Sequence, residues 1–160
     1  MTDNTIRLNE DNILKLEIED KNGVKTGESL VFDLEDIELP LIYQEILEKL
    51  KKNENYLRNQ FNIIEKKQDH KGKKLMSANE EEKIRALNKF YKDQTEAYNM
   101  FLGENGVQKL LNGRKLGWTT LREIDEIIEK QILPHLDLTM DNITNKIKNK
   151  YSKKEDNIIE

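Results

Sequence analysis

The chain has 160 residues, no cysteine, a net charge of −4, and equal 36% shares of hydrophobic and charged residues. Without cysteine there are no disulfides and no thiolate zinc sites. Apolar runs of only three or four residues exclude a helical membrane span, and the opening MTDNTIRLNEDN has no signal-peptide-like apolar region, so a cytoplasmic location is expected.

The size fits one domain, but the apolar share is thin for a single deep core, so an elongated helical molecule, or one that completes its core with a partner, is expected. Charge is unevenly spread. Residues 1–40 hold eleven Asp and Glu against four Lys and Arg, whereas residues 49–74 hold nine Lys and Arg against three Asp and Glu. An acidic region and a basic region therefore coexist, and the acidic pI of about 5.4 argues against a dedicated nucleic-acid binder.

Residues 12–34 read as a β-hairpin. Leu14, Leu16 and Ile18 alternate with polar residues, as do Leu30, Phe32 and Leu34 beyond the turn signal Asn22-Gly23. A two-residue turn on Asn22-Gly23 puts the two apolar sets on opposite faces. A loop of three or five residues with a bulge pairs Leu16 with Leu30 and Leu14 with Phe32, and is expected instead. Because an isolated hairpin is marginal in water, its apolar face must be covered by the helices or by another chain's sheet.

Pro40, after the acidic stretch FDLEDIEL, suits the first position of a helix. From Leu41 to about His70, apolar residues recur at Ile42, Ile46, Leu50, Leu57, Phe61 and Ile64, and the run around Gly72 ends the helix. Ser77 and Glu80 form a capping-box pattern for a second long helix. Its seam, Ile84, Leu87, Tyr91, Gln94, Tyr98 and Phe101, is spaced like a coiled-coil stripe. Together the two predict an antiparallel helical hairpin.

The segment Phe101–Trp118 holds four of the seven glycines and the only tryptophan. Gly103, Gly106, Gly113 and Gly117 are expected as turn residues able to take positive φ around the short amphipathic stretch Val107, Leu110 and Leu111. Thr119 or Thr120 can then cap a further helix with Leu121, Ile124, Ile127 or Ile128, and Ile132 facing inward. Pro134 predicts a kink or a stop, with a weaker helix from Thr139 to about Tyr151 beyond it. The expected fold is mainly α, with an N-terminal β-hairpin, a long antiparallel helical hairpin and a C-terminal helical segment. The expected organisation is an acidic hairpin region over 1–38, a helical domain over 39–151 and a flexible charged tail over 152–160.

Catalytic constellations are scarce. His70 and His135 are the only histidines, far apart and outside any HxxxH or HExxH frame, and the glycine segment fits neither GxxxxGK[ST] nor GxGxxG. No enzyme activity, metal or cofactor is expected. Lys109, Arg114 and Lys115 beside one tryptophan make a weak phosphate-binding signal. The amphipathic stripes remain, and their candidate partner-binding residues are Tyr91, Tyr98, Phe101, Leu102, Leu110, Leu111 and Trp118.

The run YNMFLGENGVQKLLNGRKLGWTTLREIDEIIEKQILPHL resembles the tail assembly chaperones of long-tailed bacteriophages, especially those of Gram-positive hosts. In that family a helix commonly ends in an aromatic-apolar-Gly-Glu-Gly-like step, passes through a short helix with a second glycine, and resumes as an amphipathic helix with a proline near its end. The matching positions are Phe101, Leu102, Gly103, Glu104, Gly106, Leu110, Leu111, Gly113 and the stretch from Leu121 to Leu136 containing Pro134. The hairpin leading through VFDLED into a long helix is also similar, so the resemblance spans most of residues 12–140. Asn105, between Glu104 and Gly106, departs from the pattern.

The resemblance implies a transient, non-catalytic protein of the host cytoplasm that coats the tape measure protein and recruits tail tube subunits around it. In many relatives a ribosomal frameshift yields a longer second product; Lys153-Lys154 is a candidate place for one. A tape measure protein is a long amphipathic helix, and its apolar stripe needs a groove on a charged carrier. Many copies along one helix favour heterologous contacts, and the acidic hairpin of one copy meeting Lys66, Lys67, Lys71, Lys73 and Lys74 of the next is a candidate for self-association. Two other classes compete: a structural tail or connector subunit of the virion, and a nucleic-acid-binding regulator using Lys49 to Lys74.

Overall fold

The computed structural model of the chain describes residues 4–136; the helix expected from Thr139 to Tyr151 and the tail over 152–160 lie outside the described residues. Strands β1 (Ile13–Glu19) and β2 (Lys25–Asp33) form an antiparallel two-stranded sheet in which Leu16 lies opposite Leu30 and Leu14 opposite Phe32. This is the register that places both apolar sets on one face. Between the paired ends Glu19 and Lys25 runs the five-residue loop 20–24, and a register shift follows between Glu17 and Glu19. Asp20 organises the loop: its Oδ1 accepts from the N–H groups of Asn22 and Val24, and Gly23 takes a positive φ of 76°. Gly27, with φ 86°, lies in the irregular stretch of β2, where Thr26 donates its hydroxyl to the carbonyl of Ile18.

Helix α1 (Leu39–Glu65) starts one residue earlier than expected, so Pro40 is its second residue, where a missing N–H costs nothing. Its buried stripe is Leu39, Ile46, Leu50 and Ile64, with Ile42, Leu57 and Phe61 half-buried. At 27 residues it is about 40 Å long. It ends at Glu65, short of His70, because the following residues are tied to the next helix. Asp69 accepts from the N–H of Asn79, and the His70 carbonyl accepts from Ala78. Helix α2 (Ala78–Leu102) begins at the expected cap, with Ser77 Oγ accepting from the Glu80 N–H at 3.1 Å.

Helices α1 and α2 pack as an antiparallel pair. The buried face of α2 is Phe90, Gln94, Ala97, Tyr98, Phe101 and Leu102. Ile84, expected in the seam, is 52% exposed instead, since the stripe runs through Phe90 and Ala97 and leaves it on the flank. A tilted ring pair, Tyr43 with Phe101 at 5.2 Å, joins the helices at one end. In the middle, Asn53 donates to Gln94 Oε1 at 2.8 Å, and Gln94 is only 1% exposed. Toward the loop, Lys83 reaches Glu65 and lies over the ring of Phe61.

Beyond α2 come the short helix α3 (Gly106–Leu111) and helix α4 (Trp118–Ile127), whose ladder widens into a π-helical turn over Ile128–Ile132. Helical backbone resumes through residues 133–136, so Pro134 does not stop the helix. Proline supplies no N–H to a carbonyl one turn back, and the wider pairing just upstream, with Leu133 N–H on the Ile128 carbonyl, changes the bonding there. Leu121, Ile124, Ile128, Ile132 and Leu136 are all buried. Among the described residues the chain forms two compact units: residues 38–118 make one, and residues 4–37 with residues 119–136 make the other. The hairpin and the C-terminal helical segment thus belong to one unit, and the helical pair with α3 to the other. No helix among the described residues is long and apolar enough to cross a membrane.

Candidate functional site

The glycine segment is a corner built from two left-handed stops. Gly103 ends α2 with φ 95°, donating to the Asn99 carbonyl, and Gly113 follows α3 with φ 86°. Gly106 and Gly117 do not take positive φ; the other two left-handed positions are Asn105 (φ 57°) and Asn112 (φ 48°), which cap the two ends of α3. Asparagine is among the few residues that tolerate this conformation, so the extra residue between Glu104 and Gly106 performs the turn expected of a glycine. Gly106 instead opens α3 as a buried residue with its N–H on the Gly103 carbonyl.

Asn99 holds the corner together, a role its place in the sequence does not announce. Its Oδ1 accepts from the Val107 N–H at 2.8 Å, and its Nδ2 donates to Gln108 Oε1 at 3.0 Å. Val107 is fully buried, and one of the helix-start N–H groups that lack an internal partner is thereby satisfied by a side chain eight residues upstream. A polar residue on the last turn of α2, seven residues ahead of a short helix, was the only available signal.

Of the expected partner-binding residues, Tyr98, Phe101, Leu102 and Leu111 are buried in the unit. Tyr91 and Leu110 are half-buried, and Trp118, the first residue of α4, is 66% exposed. The expected set thus divides into an interior group that fixes α2 and α3 and an accessible group that does not. Two shallow depressions flank α2. One is lined by Tyr91, Asn88, Thr95 and Lys92 with Gln108 and Leu116 from beyond the corner; the other by Lys49, Lys52 and Asn53 of α1 with Asp93, Glu96 and Met100. Both are mixed in polarity. Further apolar surface is exposed at Leu41, Leu47, Ile63 and Ile84.

The lysines expected to mediate self-association cluster on and beside the turn between α1 and α2. Lys66, Lys71, Lys73 and Lys74 are exposed, and Lys67 is bridged to Glu82 at 3.1 Å. Asp69 stiffens this turn, and the backbone N–H of Asn79, the Ser77 hydroxyl and the His70 N–H hold its carboxyl below the usual carboxylate range. Elsewhere, direct pairing lowers Glu17 beside Lys25 and Glu81 beside Arg85, and raises Lys89 beside Asp93. These groups are solvent-exposed and their pairs act as surface contacts. His70 and His135 are both exposed, and no cluster of histidines and carboxylates able to hold a metal ion occurs among the described residues. Comparison with protein-family models, with curated proteins and with solved structures gave no match.

Proposed function

We propose that this chain is a tail assembly chaperone of a long-tailed bacteriophage, acting in the host cytoplasm to keep the tape measure protein soluble and to gather tail tube subunits around it. The observation that carries the reading is the form of the segment bearing the resemblance. It runs as a helix ended at Gly103, a short helix, a glycine stop at Gly113 and an amphipathic helix that passes Pro134. On this reading the residues divide by burial. Tyr98, Phe101, Leu102 and Leu111 hold the corner, and Tyr91, Leu110 and Trp118 offer surface to an amphipathic partner helix. The dense charge elsewhere keeps the carrier soluble while its apolar positions are unoccupied.

The test is co-expression with the longest reading frame neighbouring this gene, which on this reading encodes the tape measure protein. The tape measure protein should stay soluble and co-purify with this chain, and replacing Trp118 and Tyr91 with alanine should reduce its recovery. A tape measure protein no more soluble with this chain than without it refutes the reading. Finding the chain in purified particles favours a structural virion subunit, since a chaperone leaves before the tail is complete.

A further inference from the structure

The apolar face of the two-stranded sheet is well covered over β2 and thinly covered over β1. On β2, Leu30 and Phe32 are 3% and 2% exposed, whereas their β1 neighbours Leu16 and Leu14 are only half-buried. Among the described residues no strand lies beyond β1. Leu34 donates its N–H to the Asn12 carbonyl in the same register, so the even-numbered residues of β1 exchange bonds with β2. The N–H and C=O groups of Lys15 and Glu17 therefore turn outward, along an edge able to accept another strand.

Immediately before β1 lies an arm with the pattern such an edge needs. Ile6 and Leu8 are 95% and 88% exposed and alternate with Thr5, Arg7 and Asn9. The arm cannot serve its own sheet. The Ile13 N–H bonds the Glu10 carbonyl across the two-residue turn Asp11-Asn12, so folding back would set Leu8 opposite Lys15 and Ile6 opposite Glu17. That parity puts both aliphatic side chains on the charged face, away from Leu14 and Leu16.

We infer that the arm, residues 5–9, adds as an antiparallel third strand to the β1 edge of a second copy of this chain. A separate copy is free of the turn's parity. With Leu8 opposite Leu16 and Ile6 opposite Ile18, both aliphatics extend the apolar face where it is thinly covered. The same register sets Arg7 opposite Glu17, and it pairs the outward backbone groups of Glu17 and Lys15 with those of Arg7 and Asn9. Arm and edge are different surfaces, so the contact is heterologous and each added copy presents a new edge. This inference is independent of the chaperone reading and its test needs no tape measure protein.

Sedimentation velocity of the full chain across a concentration series tests it. The unaltered chain should show a mass that rises with concentration and persists in high salt. The variant Ile6→Asp with Leu8→Asp, confined to the exposed arm, should weaken association by about a hundredfold at an unchanged far-ultraviolet spectrum. Lys15→Pro removes an outward N–H from the edge and leaves the arm intact. An equimolar mixture of the arm variant and the edge variant should form a heterodimer and grow no further, because only one productive arm and one productive edge remain. A chain that is monomeric throughout overturns the inference. So does an arm variant that associates like the unaltered chain, including the case where association is lost only on charge reversal at Lys66, Lys67, Lys71, Lys73 and Lys74.

Discussion

The Asn53–Gln94 contact predicts an asymmetry between two substitutions that remove the same hydrogen bond. Gln94 Oε1 lies in a side chain that is 1% exposed and accepts from Asn53 Nδ2 at 2.8 Å. Asn53→Ala leaves that acceptor inside the helical pair with no partner, which costs about 1–3 kcal/mol. Gln94→Leu removes the buried polar atom, and the amide it abandons belongs to half-buried Asn53, which water can reach. That change should cost under about 1 kcal/mol, since hydrophobic burial offsets the lost bond. In the double variant the two losses overlap, so the second substitution should cost about 1 kcal/mol less in the background of the first. Urea denaturation followed at 222 nm, with amide hydrogen exchange along α1 and α2 to assign the loss to this unit, measures all three. Equal effects of the two single substitutions, or strictly additive ones, refute the claim that the buried acceptor decides the cost.

The corner yields a second contrast: Gly113→Ala, at φ 86°, should destabilise by about 1 kcal/mol through backbone strain alone. Gly117→Ala should be near neutral, because nothing lies within 4 Å of the added methyl and the residue does not take positive φ; calorimetry on both separates strain from crowding. Asn99→Ala should cost about 1–2 kcal/mol and raise hydrogen exchange at the Val107 amide, which loses its only side-chain partner, while exchange at mid-α2 stays unchanged. For Asp69 the folded carboxyl titrates below its unfolded value of about 3.9, so its contribution is complete above that value and disappears as pH falls through the folded one. Acidification should therefore shift the Asn79 and His70 amide resonances together near the end of the titration, and Asp69→Asn should abolish that acid-limb dependence.

The hairpin register was legible because side-chain parity in a strand is strict: only an odd-length loop puts Leu16 against Leu30 and Leu14 against Phe32. The helical stripes of α1 and α4 and the Ser77 cap were legible from local period and chemistry. What was not legible depends on relations between distant segments. That Gln94 finds Asn53 is set by the register between two helices, fixed by how the 66–77 turn is knotted through Asp69, and no local pattern reports it. The positive φ positions were only half legible, since asparagine shares a conformation for which glycine is the obvious signal. The aromatic residues around the glycine corner stand out by type, but residue type cannot say that Phe101 is interior while Trp118 faces outward.

The widened turn at Ile128–Ile132 bears on which length changes the chain can absorb. Buried positions at Ile124, Ile128, Ile132 and Leu136 recur every four residues, whereas an α-helix completes a turn in about 3.6, so such a stripe drifts by about 40° per step. The slower π winding takes up part of that excess and keeps the later residues aligned with Leu121. One residue deleted inside this turn would return the backbone to ordinary helix and leave Leu136 about three full turns beyond Ile124, still on the stripe, whereas one residue inserted there would rotate it off by about 100°. The reading frame of the apolar face, rather than the proline, thus governs where this helix tolerates insertion or loss.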